Sequence, residues 1–164
     1  MKKTTNLVWG GRFEYDSSDI LKRINNSISF DYNLAYQDIK LNKQYAKSLF
    51  KAKILSANEL KNINVALDDI HLEVKKKKFK FSDDYEDIHM NIEMALRKRV
   101  GRLAGKLHTG KSRNDQVATD VKLWTKEKIK NVIDKIKKIQ KTIIKKSESN
   151  LNVIMPGFTH SQNA

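Results

Sequence analysis

The chain gathers many chemically active side chains in one short segment, residues 105–117, which reads Gly-Lys-Leu-His-Thr-Gly-Lys-Ser-Arg-Asn-Asp-Gln-Val. The apolar pattern from Val117 onward predicts a helix, so Ser112, Arg113 and Asn114 are expected at or just before its N-terminus. Unpaired N–H groups and the helix dipole favour an anion there, and the planar guanidinium of Arg113 matches a carboxylate. A simple helix cap at Ser112 or Asn114 would not account for the His, the Arg and the glycines together. We therefore predict a site for an acidic small molecule.

The composition is typical of a soluble globular protein of about one domain. The 164 residues are 39% hydrophobic and 32% charged, and no apolar run approaches the roughly 20 residues that a membrane span needs. The N-terminus does not resemble a secretory signal, because no apolar stretch follows Lys2 and Lys3. The chain contains no cysteine, which excludes disulfides and fits a reducing compartment. We expect a cytoplasmic protein without membrane partners.

The formal net charge of +14 raises nucleic acid as a partner. The excess consists of 27 lysines against 6 arginines, spread along the chain. Aromatic residues of the kind that stack on bases accompany the lysines only at Phe79 and Phe81. We therefore expect no specific nucleic-acid binding, and we keep a basic polyanion-binding helical protein as an alternative.

Two helices are predicted ahead of residue 80. Residues 31–54 carry an imperfect apolar stripe at helical spacing. The second helix is better defined, because Ser56-Ala57-Asn58-Glu59 has the form of a capping box and an apolar stripe follows it. The stripe consists of Leu60, Ile63, Leu67, Ile70 and Val74. His71 lies beside this stripe, and we interpret it as a structural residue.

A third helix is predicted to begin near Ser82 and to end before Gly101. Its first residues are rich in Asp and Glu, residues 97–99 are all basic, and a glycine just past the end is a common helix stop. His89 and Glu93 are four residues apart and share one helix face. From this spacing alone we expect the two to form a surface pair.

A fourth helix is predicted from about Asn114 to Ser149, with an apolar stripe from Val117 to Ile144. At 1.5 Å per residue it would be roughly 50 Å long, more than the three shorter helices can cover. The chain therefore either oligomerises as a bundle or forms one part of a larger bundle protein. No metal-ligand or phosphate-loop spacing is present, so we expect no metal and no cofactor.

Five segments, taken in order, resemble the argininosuccinate lyases of the fumarase/aspartase superfamily. They are Trp9-Gly-Gly-Arg-Phe13, Asn26-Ser-Ile28 with Phe30-Asp31, Glu86-Asp-Ile-His89, Gly105–Val117 and Met155–Gln162. The central His-Thr-Gly-x-Ser-Arg-Asn-Asp-Gln motif is specific to this branch of the superfamily. The resemblance spans nearly the whole chain.

The resemblance implies an all-α fold, with an N-terminal helical domain at residues 1–112 and the start of a central helix bundle at residues 113–164. It also implies a homotetramer with active sites shared between subunits. The implied reaction is the reversible elimination of argininosuccinate to arginine and fumarate, without metal or organic cofactor. Such a reaction needs donors and cations around two carboxylates.

Position by position, the resemblance assigns substrate binding to Ser27, Arg113, Asn114 and Thr159, and acid–base catalysis to His160. His89 and His108 resemble supporting groups near the site. Three residues depart from the family pattern, which usually has Arg, Leu and Arg at those positions: Lys111, Ser161 and Asn163.

The length also departs from the family, whose chains are usually more than twice as long. The flexible loop with the serine thought to act in proton abstraction is missing, as is the glutamate partner of the catalytic histidine. We therefore expect an N-terminal portion of the lyase that is inactive alone. A non-enzymatic structural role, like that of the relatives found in the lens, is a further alternative.

Overall fold

The computed structural model of the chain describes residues 19–154 and 156–163. The regular secondary structure of the described part is helical apart from two short strands, which confirms the predicted all-α class. The α-helices are α1 Asp19–Asn25, α2 Ile28–Asp31, α3 Ala35–Lys51, α4 Ala57–Lys75, α5 Ile88–Val100 and α6 Arg113–Glu148. The 3₁₀ helices are Tyr32–Leu34 and Gly101–His108, and the strands are β1 Phe158–Thr159 and β2 Gln162–Asn163.

The chain divides into two compact units, one up to Trp124 and one from Thr125 onward. α6 begins in the first unit and ends in the second. The predicted domains, residues 1–112 and 113–164, were drawn from the family resemblance and stay a prediction.

The core of the first unit lies where α3, α4 and α5 pack against one another, with the 3₁₀ helix Gly101–His108 packed against all three. In the apolar stripe predicted for α4, Ile63, Leu67 and Ile70 are buried, and Leu60 and Val74 at its ends are partly buried. Fully burying such a side chain contributes roughly 1.5–3 kcal/mol. The largest apolar side chains with less than 2% exposure are Ile39, Ile63, Leu67, Ile70, Ile88, Ile92 and Leu96. Beside this apolar core, α3 and α5 also carry buried polar side chains, among them Asp38 and His89.

The predicted capping box at the start of α4 is present. The Ser56 hydroxyl accepts the Glu59 N–H at 3.2 Å, and the Glu59 carboxylate accepts the Ser56 N–H at 2.8 Å. Glu59 also accepts a hydrogen bond from Lys106. The Lys106 ammonium and the Ser56 N–H lower the pKa of Glu59 to about 2. This start of α4 is therefore both capped and tied to the 3₁₀ helix.

The prediction that the third helix begins near Ser82 is wrong, because α5 begins at Ile88. The Asp87 carboxylate caps α5 by accepting the Met90 N–H at 2.6 Å. Asn91 holds the preceding turn: its amide oxygen accepts the Ser82 N–H, and its amide nitrogen donates to the carbonyls of Ser82 and Asp87. A side chain from α5 thus satisfies backbone groups that a longer helix would have paired internally.

The end of α5 and both ends of α6 lie at or within one residue of the positions predicted from the sequence. Gly101 follows α5 with φ 62 and ψ −137, a conformation that strongly favours glycine, as predicted for a helix stop. α6 runs from Arg113 to Glu148, one residue from each predicted end. None of the helices in the described part of the chain has the length and apolar character needed to cross a membrane.

The second unit contains the later part of α6 and an antiparallel hairpin. In the hairpin Phe158 pairs with Asn163 and Thr159 pairs with Gln162. His160 and Ser161 form its turn, with φ 47 and 64. Paired positive φ values are those of the two-residue turns that match the twist of a hairpin.

Candidate functional site

Residues 86–89, Glu-Asp-Ile-His, form the segment on which side chains from distant parts of the sequence meet. The Ser27 N–H donates to the Glu86 carbonyl at 2.9 Å, and the Ser27 hydroxyl donates to Asp31 at 2.6 Å. Both carboxylate oxygens of Asp31 lie 3.2 Å from the Ile88 nitrogen, whose N–H they accept. The predicted substrate-binding residue Ser27 is therefore held against this segment, at the junction between α2 and the start of α5.

Arg113, at the first turn of α6, contacts the same segment through Asp87. Its Nε lies 3.7 Å from Asp87 Oδ2, its Nη2 donates to Glu93 at 3.3 Å, and its Nη1 donates to Gln116 Oε1 at 3.0 Å. The side chain is 33% exposed. A guanidinium has five N–H donors, so these contacts fix its direction while leaving donors for another acceptor. Ser27 and Arg113 are thus brought to adjacent residues, 86 and 87.

The start of α6 has the predicted cap as well as the guanidinium. The Ser112 hydroxyl accepts the Asn114 N–H at 3.2 Å, which satisfies one of the unpaired donors of the first turn. Asn114 is exposed. Its predicted contact with substrate stays a prediction.

His89 is buried rather than paired with Glu93 at the surface, so the expected surface pair is wrong. The ring is 2% exposed, and its Nδ1 lies 3.0 Å from Asp38 Oδ1 and 3.3 Å from Asp120 Oδ2. Both carboxyl groups are fully buried. Partners from α3 and α6 displace the expected one because the packing of α5 turns His89 inward. Spacing within α5 carries no information about those helices.

The two buried carboxyl groups have opposite pKa shifts. Burial alone would raise the pKa of Asp38, but the hydrogen bond and charge of His89, with the donor Gln116, hold it below its ordinary value. Burial, together with the neighbouring Asp38 carboxylate, raises the pKa of Asp120 to about 9. At neutral pH Asp38 is therefore the anion and Asp120 holds a proton, since adjacent buried carboxyl groups resist ionising together.

The same three residues have a donor set that would suit a metal ion. One ligand atom each from Asp38, His89 and Asp120 lies within 4.8 Å of the others. Asp38 is already bound by two amides, since Asn42 Nδ2 donates to its Oδ2 at 2.9 Å and Gln116 Nε2 donates to its Oδ1. These amide hydrogen bonds stabilise the Asp38 carboxylate, and the proton on Asp120 removes a second negative charge from the cluster. The expected absence of metal and cofactor stays a prediction.

Lys111, one of the departures from the family pattern, packs beside this cluster. Its Nζ donates to Asn42 Oδ1 at 2.9 Å and lies 5.4 Å from the centroid of the Tyr45 ring. Burial lowers the pKa of Lys111. A small cavity of about 20 Å³ next to it has room for roughly one water molecule. Its walls include His89 and His108, which places both predicted supporting histidines on one cavity.

Thr159 and His160 lie together in the hairpin of the second unit. Thr159 is in β1 and His160 is the first residue of the turn, and both are exposed. Ser161 and Asn163, two of the departures, belong to the same hairpin. The predicted roles of Thr159 and His160 stay predictions.

Four buried or half-buried residues of this cluster were given no role from the sequence: Asp38, Asp87, Gln116 and Asp120. Asp87 and Gln116 lie within the segments 86–89 and 105–117 that carried the resemblance. A signal for Asp38 existed, since it lies on the apolar face of α3 that also carries Ala35, Ala46 and Leu49. An acid on such a face is buried and needs partners. Gln116 and Asp120 are four residues apart on α6, but they lie outside its apolar stripe and gave no such signal.

Comparison with known proteins gives a consistent result. The model of a family described as "Lyase" matches residues 11–164. The chain is 48% identical over 158 residues to the argininosuccinate lyase of Ehrlichia ruminantium (strain Welgevonden), covering 96% of this chain and 34% of that protein. It is 50% identical to the argininosuccinate lyase of Ehrlichia canis and 43% identical to that of Limosilactobacillus reuteri, in each case over 157 residues and 96% of this chain. The chain spans about a third of the length of these relatives.

Proposed function

Since the chain belongs to the lyase family, we propose that it supplies part of the active centre of an argininosuccinate lyase, which cleaves argininosuccinate to arginine and fumarate. The observation that carries the proposal is the meeting of Ser27 and Arg113 at residues 86–87. The similarity to proteins named argininosuccinate lyase supplies the substrate. A cytoplasmic homotetramer is part of the same proposal.

The chemistry of this site suits a substrate with carboxylates. Arg113 is held by three oxygen-bearing side chains yet is one-third exposed, so a substrate carboxylate would bind its remaining donors. In the elimination a base removes a carbon-bound proton, and negative charge develops on the neighbouring carboxylate. A fixed cation stabilises that charge without reorganising.

His160 supplies the proposed acid–base group. Its position in a two-residue turn makes its ring accessible, since the residue is exposed. An imidazole has two ring nitrogens, one of which can accept a proton while the other donates one. In the proposed lyase it acts on the substrate together with residues from the rest of the protein.

The test is to express the 164 residues together with the remaining segment of the Ehrlichia ruminantium relative. Fumarate release from argininosuccinate is followed by ultraviolet absorbance. We expect co-purification of the two segments and activity only when both are present. His160→Asn should lower the rate by about 100-fold or more while co-purification persists, because an acid–base group contributes at least that much.

The matched control is His71→Asn. His71 is half-buried, and its ring packs edge-on against that of Tyr36 with 5.3 Å between the ring centroids. Since it has no proposed role in catalysis, its replacement should leave the rate of fumarate release within the range of the parent complex. Activity of the isolated 164 residues equal to that of the complex would contradict the proposal. A co-purified complex without fumarate release would contradict it as well.

A further inference from the structure

The two ends of the Gln116 side-chain amide meet groups of opposite chemistry. Its nitrogen donates to Asp38 Oδ1, and its oxygen accepts from Arg113 Nη1 at 3.0 Å. The two ends of an amide are almost equal in size, so packing alone does not choose between them. A carboxylate only accepts and a guanidinium only donates, so one orientation alone satisfies both neighbours.

The Asp38 end of this arrangement is fixed. Asp38 is fully buried, and Asn42 Nδ2 donates to its Oδ2 at 2.9 Å. His89 Nδ1 lies 3.0 Å from Oδ1, the oxygen that Gln116 also contacts. Asn42 is itself held by Lys111. A buried carboxylate needs such donors, because a hydrogen bond that is missing at a buried charged group costs more free energy than the same bond contributes when it is formed.

The Arg113 end faces outward. Gln116 is 3% exposed whereas the Arg113 side chain is 33% exposed, so the chain of contacts runs from a buried anion to a partly accessible cation. The remaining contacts of Arg113, with Glu93 at 3.3 Å and Asp87 at 3.7 Å, are longer than the one with Gln116. Gln116 therefore makes the shortest of these three contacts to the guanidinium.

We propose that Gln116 is a positioning residue for Arg113. The buried Asp38 carboxylate sets the direction of the Gln116 amide, and the amide oxygen then holds the guanidinium with its remaining N–H groups turned to the substrate. This inference rests on the proposed substrate-binding role of Arg113.

The first test measures how tightly Arg113 is held in the 164-residue chain. Phenylglyoxal modifies accessible arginines, and mass spectrometry gives the rate at each one. Gln116→Met keeps the length of the side chain and removes the amide. We expect Arg113 to react about fivefold faster, the factor that corresponds to one hydrogen bond of roughly 1 kcal/mol.

Two controls make the result specific. Arg99 is 26% exposed and bound to Glu73, so its rate reports general loosening and should stay constant. Gln44→Met, at an exposed position of α3, should change neither rate. If Gln116→Met also raises the reaction rate of Arg99, the rate of Arg113 is measured in Gln116→Asn instead. Asn keeps an amide that can donate to Asp38 but is too short to contact Arg113 as well. An unchanged Arg113 rate in the folded variant would overturn the proposal.

The second test separates this inference from the proposed function. In the complex with the remaining lyase segment, Gln116→Met should lower kcat/KM about fivefold, and should have little further effect once Arg113 is replaced by Lys. If Arg113→Lys alone leaves kcat/KM unchanged, the substrate-binding role of Arg113 fails whatever Gln116 does. If Arg113→Lys is damaging but the effect of Gln116→Met simply adds to it, the positioning role fails.

Discussion

Asp120 illustrates how burial decides the protonation of a single residue. It is fully buried, and within the described residues neither carboxyl oxygen accepts a hydrogen bond. Its neighbour Asp38 is ionised and accepts hydrogen bonds from Asn42, Gln116 and His89. A proton on Asp120 removes the repulsion between the two carboxyl groups, which is why one acid of the pair stays neutral.

The protonation of Asp120 predicts that the first unit loses stability as pH rises. Its pKa of about 9 in the folded chain lies above the ordinary 3.8, so the folded state holds a proton that the unfolded state has released. The free energy of unfolding should therefore fall between about pH 5 and about pH 8, by up to about 1.4 kcal/mol per pH unit. Asp38 has the opposite shift and acts only below its ordinary pKa of 3.8, outside this window.

The measurement is urea unfolding followed by circular dichroism at both ends of this window. Asp120→Asn carries no titrating proton, so its free energy of unfolding should be nearly constant across the window and higher than that of the parent at the alkaline end. Asp69→Asn, at an exposed position of α4, is the control and should keep the parental slope. The same slope in Asp120→Asn would show that another group titrates.

At the scale of elements, the segment ahead of α5 is shaped by side chains and not by helix propensity. Asp87 caps α5 and also faces Arg113 at 3.7 Å, while Asn91 holds the turn that begins at Ser82. The helix therefore starts where its first N–H groups find a carboxylate. This places His89 at the second residue of α5, where its ring contacts Asp38 of α3 and Asp120 of α6.

We predict that the capping role of Asp87 outweighs its charge for stability. Asp87→Ala should lower the free energy of unfolding by about 1 kcal/mol, the usual cost of losing a helix cap. Asp87→Asn should cost much less, because an amide oxygen also accepts the Met90 N–H. Ser56→Ala at the start of α4 gives the matched loss of a cap, and urea unfolding measures all three. Equal losses for Asp87→Ala and Asp87→Asn would assign the effect to the pairing with Arg113.

At the scale of the whole molecule, the later part of α6 leaves a row of apolar side chains uncovered. They recur every three or four residues, so they lie on one face of the helix. Their exposed fractions lie between 45% and 60% for Ile129, Val132, Ile133, Ile136, Ile139, Ile143 and Ile144. A contiguous apolar row of this kind favours association.

We predict that the 164-residue chain self-associates through this row. Analytical ultracentrifugation should show oligomers whose size grows with concentration. Ile136→Ser combined with Ile143→Ser should weaken the association by about tenfold, since two large apolar contacts are lost. Lys138→Ser combined with Lys145→Ser changes the opposite face of the same helix and should leave association intact. A monomeric parent chain would contradict the prediction.

The sequence by itself determined α3, α4, α6 and the end of α5, because the signals for these helices are local, whereas the short helices α1 and α2 and the two 3₁₀ helices were not predicted. The apolar spacing of α4, its capping box and the glycine after α5 each involve residues within about one or two helical turns. The same holds for α6, whose ends were predicted within one residue. The start of α5 was missed, since acidic residues favour a first helical turn and equally serve as caps.

Only the tertiary structure decided how the site is assembled. His89 and Asp38 are 51 positions apart, and Gln116 and Asp38 are 78 apart, so no spacing along the chain relates them. The motif at residues 105–117 indicated the kind of chemistry, whereas two of the partners that orient Arg113, Glu93 and Asp87, come from α5 and the residue before it. The third partner, Gln116 of α6, is in turn held by Asp38 of α3. Packing of α3 against α5 brings an acid from one helix to a histidine of the other. The burial of these residues in turn determines that Asp120 keeps its proton while Asp38 is ionised, and it sets the orientation of the Gln116 amide.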